Sequence, residues 1–216
     1  KFFNYYKIYI NSICNIFKEV GININTLPVL DVRRKFTHSI IGTRSFSNNP
    51  KIVSEIGKIC IKLHENNKIA TVIKHIPGHG LAKQDSHLSL PIVKNKKKDL
   101  IHSDFSAFKQ NNSLFAMTAH VIYSAYDPIY PATHSRLIIN DIIRKHIGFK
   151  GVLISDDISM KALKYELKEN AAKALNAGCN LILHCNGNIR EMSKLAKVIP
   201  KIDNFTQKKT SHFYKF

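Results

Sequence analysis

The sequence predicts an α/β fold built on a parallel sheet, of the (β/α)8 TIM-type barrel kind. Three observations predict it. Apolar runs of strand length alternate with stretches of helical periodicity. Polar residues gather at the carboxyl ends of those runs: Asp31, Lys74-His75, His120 and Asp156-Asp157 each fall at or just past a different one, and that is the rim where barrel proteins build their sites. No GxGxxG follows the first run, so an open dinucleotide-binding sheet gains no support.

In chain order, the first strand is expected over Leu27 to Val32. Asn49 caps a helix with Pro50 in its first turn, and Ile52, Ile56, Ile59, Cys60 and Leu63 recur on one face. The second strand spans Ala70 to Ile76, and a long loop follows from Pro77 to Val93, rich in Gly, His, Asp and Ser. A weaker helix spans Lys98 to Gln110 and a third strand Leu114 to Ile122; Arg136 to His146 is helical until Gly148 stops it. Gly151 to Ser155 forms a fourth strand, Ser159 to Leu175 an interrupted helix ending at Gly178, and Asn180 to Cys185 a fifth strand. Most of these runs are continuous rather than alternating, as for strands buried on both faces.

Composition excludes some function classes. With 216 residues and 44% hydrophobic content, one domain over 1–216 is the default. No run of about eighteen uncharged apolar residues occurs and the opening Lys1-Phe2-Phe3-Asn4-Tyr5-Tyr6 lacks the features of a secretory signal, so no membrane span and a cytoplasmic location are expected. The formal charge of +18 raises nucleic-acid binding as an alternative, tested by salt-dependent retention. The lysines are scattered, however; only Lys94-Asn95-Lys96-Lys97-Lys98 and Lys208-Lys209 cluster, without interleaved aromatics, and no nucleic-acid partner is expected. Cys14, Cys60, Cys179 and Cys185 form no CxxC pair and read as reduced packing thiols, with no metal site.

The most specific segment is Ile73-Lys74-His75-Ile76-Pro77-Gly78-His79-Gly80, followed by Asp85-Ser86-His87 and Leu90-Pro91. It resembles the signature loop of the β-N-acetylhexosaminidases of glycoside hydrolase family 3, a Lys-His-Phe-Pro-Gly-His-Gly run preceding Asp-Ser-His, with Ile76 in place of Phe. Pro28 to Val32, Ile41 to Phe46, Met117 to Tyr123 and Gly151 to Met160 are similar to further segments of that family, in the same order. The resemblance covers about Asn23 to Cys185. It implies a retaining glycosidase, with Asp156 as nucleophile, His87 as acid/base and Asp85 orienting His87. It also implies that Arg44, Lys74 and His75 bind sugar hydroxyls. The implied substrate is a terminal N-acetyl-β-D-glucosamine residue of a muropeptide, in cell-wall recycling, with no metal or organic cofactor.

The chemistry of these residue types agrees. A strand-end carboxylate can attack an anomeric carbon and leave again, while an imidazole with an ordinary value of about 6.5 can give and then take a proton. Gly78 and Gly80 are expected to act as hinges that let His87 swing in. For Asp157 the expected role is capping, and for His79 and His120 a structural one. The Pro-Gly-His-Gly run lacks the Lys-Ser/Thr ending of a phosphate-binding P-loop. Residues 1–22 contain no Asp-Gln-Glu-Gly-Gly segment, which the family places upstream to grip the sugar. The chain is therefore expected to be the carboxyl-terminal two-thirds of the family's catalytic domain, and an inactive sugar-binding remnant is the alternative to an enzyme.

Overall fold

The computed structural model describes residues 1–39 and 41–213. Helix α1 (Phe2–Glu19) leads into β1 (Ile24–Asn25); α2 (Pro50–Asn66) leads into β2 (Ala70–Ile76). The short strand β3 (Ile92–Val93) and helices α3 (Lys97–His102) and α4 (Asp104–Phe108) precede β4 (Phe115–Thr118) and β5 (Ile122–Tyr123). A π-helix over Ile138–Ile147 leads to β6 (Val152–Asp157), α5 (Leu167–Ala177) to β7 (Leu181–Leu183), and α6 (Ile189–Ala196) and α7 (Asn204–Phe213) close the described chain.

Five strands pair in parallel in the order β1-β2-β4-β6-β7, and β3 pairs in parallel with β5 in a separate two-stranded sheet. The α/β class and parallel sheet follow the expectation. Closure into eight strands does not occur among the described residues: β1 and β7 are the edges of an open sheet.

The two faces of this sheet carry different residues because side chains alternate along a strand. Ala70 and Val72 of β2, Phe115 and Met117 of β4 and Val152 of β6 cluster on one face, with Ile24, Ile154, Leu181 and Leu183 packed partly buried beside them. The alternate residues, Ile73, Ala116 and Leu153, join the main core with Leu30, Phe105, Phe108, Tyr123 and the isoleucines of the π-helix. Each fully buried Ile there contributes about 1.5–3 kcal/mol relative to exposure. Gly57 lets α2 approach this core, since a Cβ there would stand 2.5 Å from Leu30 Cδ2.

Local chemistry explains the helix ends. Asn49 Oδ1 accepts from the Lys51 amide and Pro50 occupies the first turn of α2, as its sequence predicts. Gly148 stops the π-helix at φ +81°, a left-handed conformation that Gly adopts without Cβ strain. Arg144 then ties that helix to the sheet, donating to the carbonyls of Phe149 and Gly151 and to Asn180 Oδ1 at 3.1, 2.7 and 2.9 Å.

Several expected elements differ. Leu27–Val32 is not a strand; β1 lies at Ile24–Asn25, and among the described residues the backbone of the later stretch pairs with β2 at the single Val29–Lys74 bridge, because Pro28 has no N–H to donate to a ladder. Leu114–Ile122 divides into β4 and β5, which belong to different sheets, with the buried His120 between them. The Lys98–Gln110 helix breaks at Ser103, whose backbone is at φ −113°, ψ −96°, and α4 begins on the buried Asp104. Residues 159–166 form turns, bends and irregular chain, and α5 starts only at Leu167.

Candidate active site

A cavity of about 250 Å³ opens at the carboxyl ends of the five-stranded sheet. Every strand contributes to its wall: Thr26 just past β1, Lys74 and His75 from β2, Met117 from β4, Asp156 from β6, Leu183 and Cys185 from the end of β7. Arg44, His79, Ser86 and His87 reach it from the connecting loops. A larger cavity of about 660 Å³ lies at the opposite ends of β4 and β6, against Ser113 and Gly151, but no Asp, Glu or His lines it. Size therefore does not select the site; the convergence of titratable groups on the carboxyl rim does.

Register places these side chains. Lys74, Met117 and Ile154 are paired across β2, β4 and β6, and Asp156 lies two residues beyond Ile154, where the β6–β7 pairing shifts register between Ile154 and Asp157. Lys74 and His75 should point to opposite faces of a regular strand. The β2–β4 pairing shifts register between Lys74 and Ile76, and both side chains line the cavity.

Beneath His75 lies Asp31, fully buried. Its Oδ2 accepts from His75 Nδ1 at 2.6 Å, while Oδ1 accepts from the His79 amide at 2.6 Å and the His75 amide at 3.3 Å. Burial alone would raise this carboxyl, but His75 and His79 outweigh it and hold Asp31 below the usual carboxylate range. With Nδ1 committed to Asp31, His75 keeps Nε2 for the cavity. Asp156 follows the same logic. Burial pushes it up, and His75, His120, the Asp157 amide at 2.8 Å and Lys74 bring it below the ordinary value, so it is ionised at neutral pH. Lys74 is itself lowered, by burial first and then by Arg44, with Asp156 and Asp31 opposing.

His87 is exposed, and its Nδ1 donates to Asp85 Oδ1 at 2.8 Å; the His87 amide donates to the same oxygen at 2.8 Å. Slight desolvation works against Asp85, yet these bonds hold its carboxyl below the usual range. The structure thus brings Arg44, Lys74, His75, His87 and Asp156 around one cavity and sets Asp85 behind His87.

The roles expected of Gly78 and Gly80 are different in the fold. Both are buried; a Cβ on Gly78 would stand 2.6 Å from Asp104 Cβ, and one on Gly80 would stand 2.0 Å from the Val32 carbonyl oxygen. Tyr123 donates its hydroxyl to the Gly78 carbonyl, and Thr37 Oγ1 donates to that of Gly80 at 2.6 Å. These glycines permit close approach instead of hinging, and the exposed stretch is Lys83–Ser89, apart from Ser86 and the half-buried Asp85. Asp157 caps, but over a turn, accepting from the Ser159 amide at 3.0 Å and from its hydroxyl at 2.8 Å. His120 is structural in its bonding, with Nδ1 on Thr133 Oγ1 at 2.7 Å and Nε2 on the Asp157 carbonyl at 3.0 Å.

Two titratable cavity residues escape the sequence reading. His79 was expected to be structural, yet it lines the cavity with both ring nitrogens unpartnered among the described residues; burial depresses it to about 4, so it is neutral. Cys185 is not a packing thiol like the buried Cys14, Cys60 and Cys179; it is exposed at the cavity mouth.

The sequence from residue 11 to residue 211 matches the glycosyl hydrolase family 3 N-terminal domain. The chain belongs to this family. It is similar to the β-hexosaminidase of Thioalkalivibrio sulfidiphilus, 33% identical over 192 residues that make up 87% of this chain and 53% of the relative. The β-hexosaminidase of Photobacterium profundum is 35% identical over 204 residues, 90% of this chain and 60% of the relative. Among solved structures, NagZ from Neisseria gonorrhoeae in complex with N-trifluoroacetyl-D-glucosamine superposes with a TM-score of 0.82 at 30% identity, over 93% of this chain and 58% of that one. The family 3 chain described here thus spans about half to three-fifths of the length of these relatives.

Proposed function

We propose that this family 3 chain is the site-bearing part of a retaining glycoside hydrolase that removes terminal, non-reducing N-acetyl-β-D-glucosamine residues. One observation carries the reading: an ionised strand-end carboxylate, Asp156, and a histidine already paired to a carboxylate, His87, line the same cavity. Its 250 Å³ lies below the roughly 300–1,000 Å³ of drug-sized ligand sites and suits one terminal sugar ring.

In the proposed mechanism the Asp156 carboxylate attacks the anomeric carbon as the glycosidic bond breaks, and His87 Nε2–H gives its proton to the departing oxygen. Asp85 holds Nδ1–H and stabilises the imidazolium state from which that proton leaves. Water then attacks the same carbon, neutral His87 takes its proton, and Asp156 departs as carboxylate, so two displacements retain configuration. Arg44, Lys74 and His75 supply donors to the ring hydroxyls. No cofactor enters the scheme. Muropeptide fragments as the carbohydrate partner, a cytoplasmic location, and membership of the open sheet in a complete (β/α)8 barrel belong to the same reading; no described helix is long and apolar enough to cross a membrane.

The test is release from an aryl N-acetyl-β-glucosaminide by the chain and by Asp156→Ala and His87→Ala. Each variant is expected to lose on the order of 100-fold or more in turnover. Undiminished turnover in either refutes its assigned role. The alternative reading is a remnant that binds the sugar without hydrolysing it. Calorimetry showing N-acetylglucosamine binding without turnover would support that reading instead.

A further inference from the structure

Arg44 reaches the cavity on a loop formed by residues 33–39 and 41–48, most of which are exposed or half-buried. Beside Arg44 the loop is held by Ser45, whose hydroxyl donates to the Asp31 carbonyl at 2.6 Å, and by the Arg33 amide donating to the Ser47 carbonyl at 3.0 Å; its other half is tied by Thr37 to the Pro77–Gly80 turn and by Arg34 to Asp104. Thr37 Oγ1 accepts from the Arg34 amide at 2.6 Å and donates to the Gly80 carbonyl at 2.6 Å. The Arg34 guanidinium donates to the Asn48 carbonyl at 3.1 Å, at the far end of the same loop, and pairs with Asp104 Oδ2 at 3.5 Å.

Asp104 is an unusual partner. Its side chain is fully buried, Oδ2 also accepts from Ser103 Oγ at 3.0 Å, and Oδ1 has no partner among the described residues. It lies directly against the back of the turn, where a Cβ on Gly80 would stand 2.8 Å from Oδ1. Burial pushes this carboxyl up to about 6, against Arg34 and Ser103. A buried carboxylate with an unpaired oxygen destabilises a fold, so its presence calls for a use that an apolar side chain could not serve.

We infer that Asp104 and Arg34 are positioning residues, whose ion pair holds the Arg44 loop against the Pro77–Gly80 turn and thereby sets Arg44 relative to His75 at the cavity. The inference rests on the glycosidase reading for what the cavity binds, and adds the device that sets its sugar-binding geometry. It also makes sugar affinity depend on pH. The charged and titratable groups facing Asp104 are Arg34 from the loop, Asp31 from the stretch after β1 and Tyr123 from β5. When Asp104 takes up a proton below about pH 6, the pair with Arg34 is lost.

The experiment uses the whole chain with Asp104→Asn, which mimics the protonated carboxyl, Arg34→Met, Arg34→Lys and the double variant Asp104→Asn/Arg34→Met. Circular dichroism establishes that each is folded. Calorimetry with N-acetylglucosamine at pH 7 is expected to show Kd raised on the order of tenfold in Asp104→Asn and Arg34→Met, partly recovered in Arg34→Lys, and no worse in the double variant. The wild-type Kd should rise as pH falls through about 6, while that of Asp104→Asn stays high and flat across this range. Hydrogen exchange at 34–39 and 41–48 should quicken in Asp104→Asn and Arg34→Met with β2 and β4 unchanged. Unchanged exchange in the loop overturns the brace, and quickened exchange with unmoved Kd overturns its role in sugar binding. A wild-type chain that neither turns over nor binds the sugar refutes the glycosidase reading and with it the sugar-positioning role; loop exchange then decides the brace alone.

Discussion

Replacing Asp31 by Asn isolates the interaction beneath the cavity. The carboxylate is fully buried and accepts two bonds of 2.6 Å, from His75 Nδ1 and the His79 amide, plus a longer one from the His75 amide. Hydrogen bonds to a charged group contribute about 1.5–3 kcal/mol each, and removing one partner of a buried pair costs about 3–5 kcal/mol. Urea unfolding at pH 7 should therefore show Asp31→Asn destabilised by about 3–5 kcal/mol, or roughly 6–20 °C in Tm for a chain of this size. The pH dependence has a definite sign. Asp31 is held below its ordinary value in the fold, so its stabilisation is complete above about pH 4 and is lost as pH falls through the lower folded value. The gap between wild type and variant should accordingly narrow from pH 4 downward. A gap under about 1 kcal/mol at pH 7, or one that does not narrow in acid, would show that Asp31 is not the charged anchor of His75.

Two glycines should respond unequally to the same added methyl group. Gly80→Ala meets a backbone oxygen at 2.0 Å and is expected to cost about 3 kcal/mol or more, whereas Gly148→Ala, at φ +81° with nothing within 4 Å, should cost only about 1–2 kcal/mol; thermal melts of both variants compare them. Of the four free thiols, Cys185 should react first with a thiol-specific reagent in the native chain, because Cys14, Cys60 and Cys179 are buried, although partial burial and the nearby Asp157 and Asp156 raise its thiol and slow the reaction relative to an ordinary exposed cysteine. N-acetylglucosamine should protect Cys185, which lines the cavity, and peptide mapping of the labelled protein reads both outcomes.

Much of the architecture was legible because local chemistry decides it. The continuous apolar run Ala70–Ile76 is a strand with those bounds, the Asn49-Pro50 cap opens α2, and Gly148 ends the helix before β6, since burial on both faces, a side-chain cap and a left-handed glycine each act within a few residues. The ordered motifs likewise placed Arg44, Lys74, His75, His87 and Asp156 close enough to share a cavity. Other features depend on partners distant in the chain. Helix α1 was not anticipated: Ile10 and Cys14 are buried, but Phe2, Tyr5, Tyr9 and Ile16 remain exposed, so its apolar pattern does not mark one buried stripe. The two-residue β1 exists only through its register with Ala70 and Thr71 of β2. That Lys74 and His75 face one cavity depends on a register shift against β4. That Gly78 and Gly80 are clamped depends on Asp104, Val32, Tyr123 and Thr37, contributed by four other parts of the chain. The sequence by itself determined the parallel α/β class, the bounds of β2, and which titratable residues stand at or near the carboxyl ends of the strands. Only the tertiary structure decided how neighbouring strands register and what packs behind the loops, because those contacts join residues that share no local pattern.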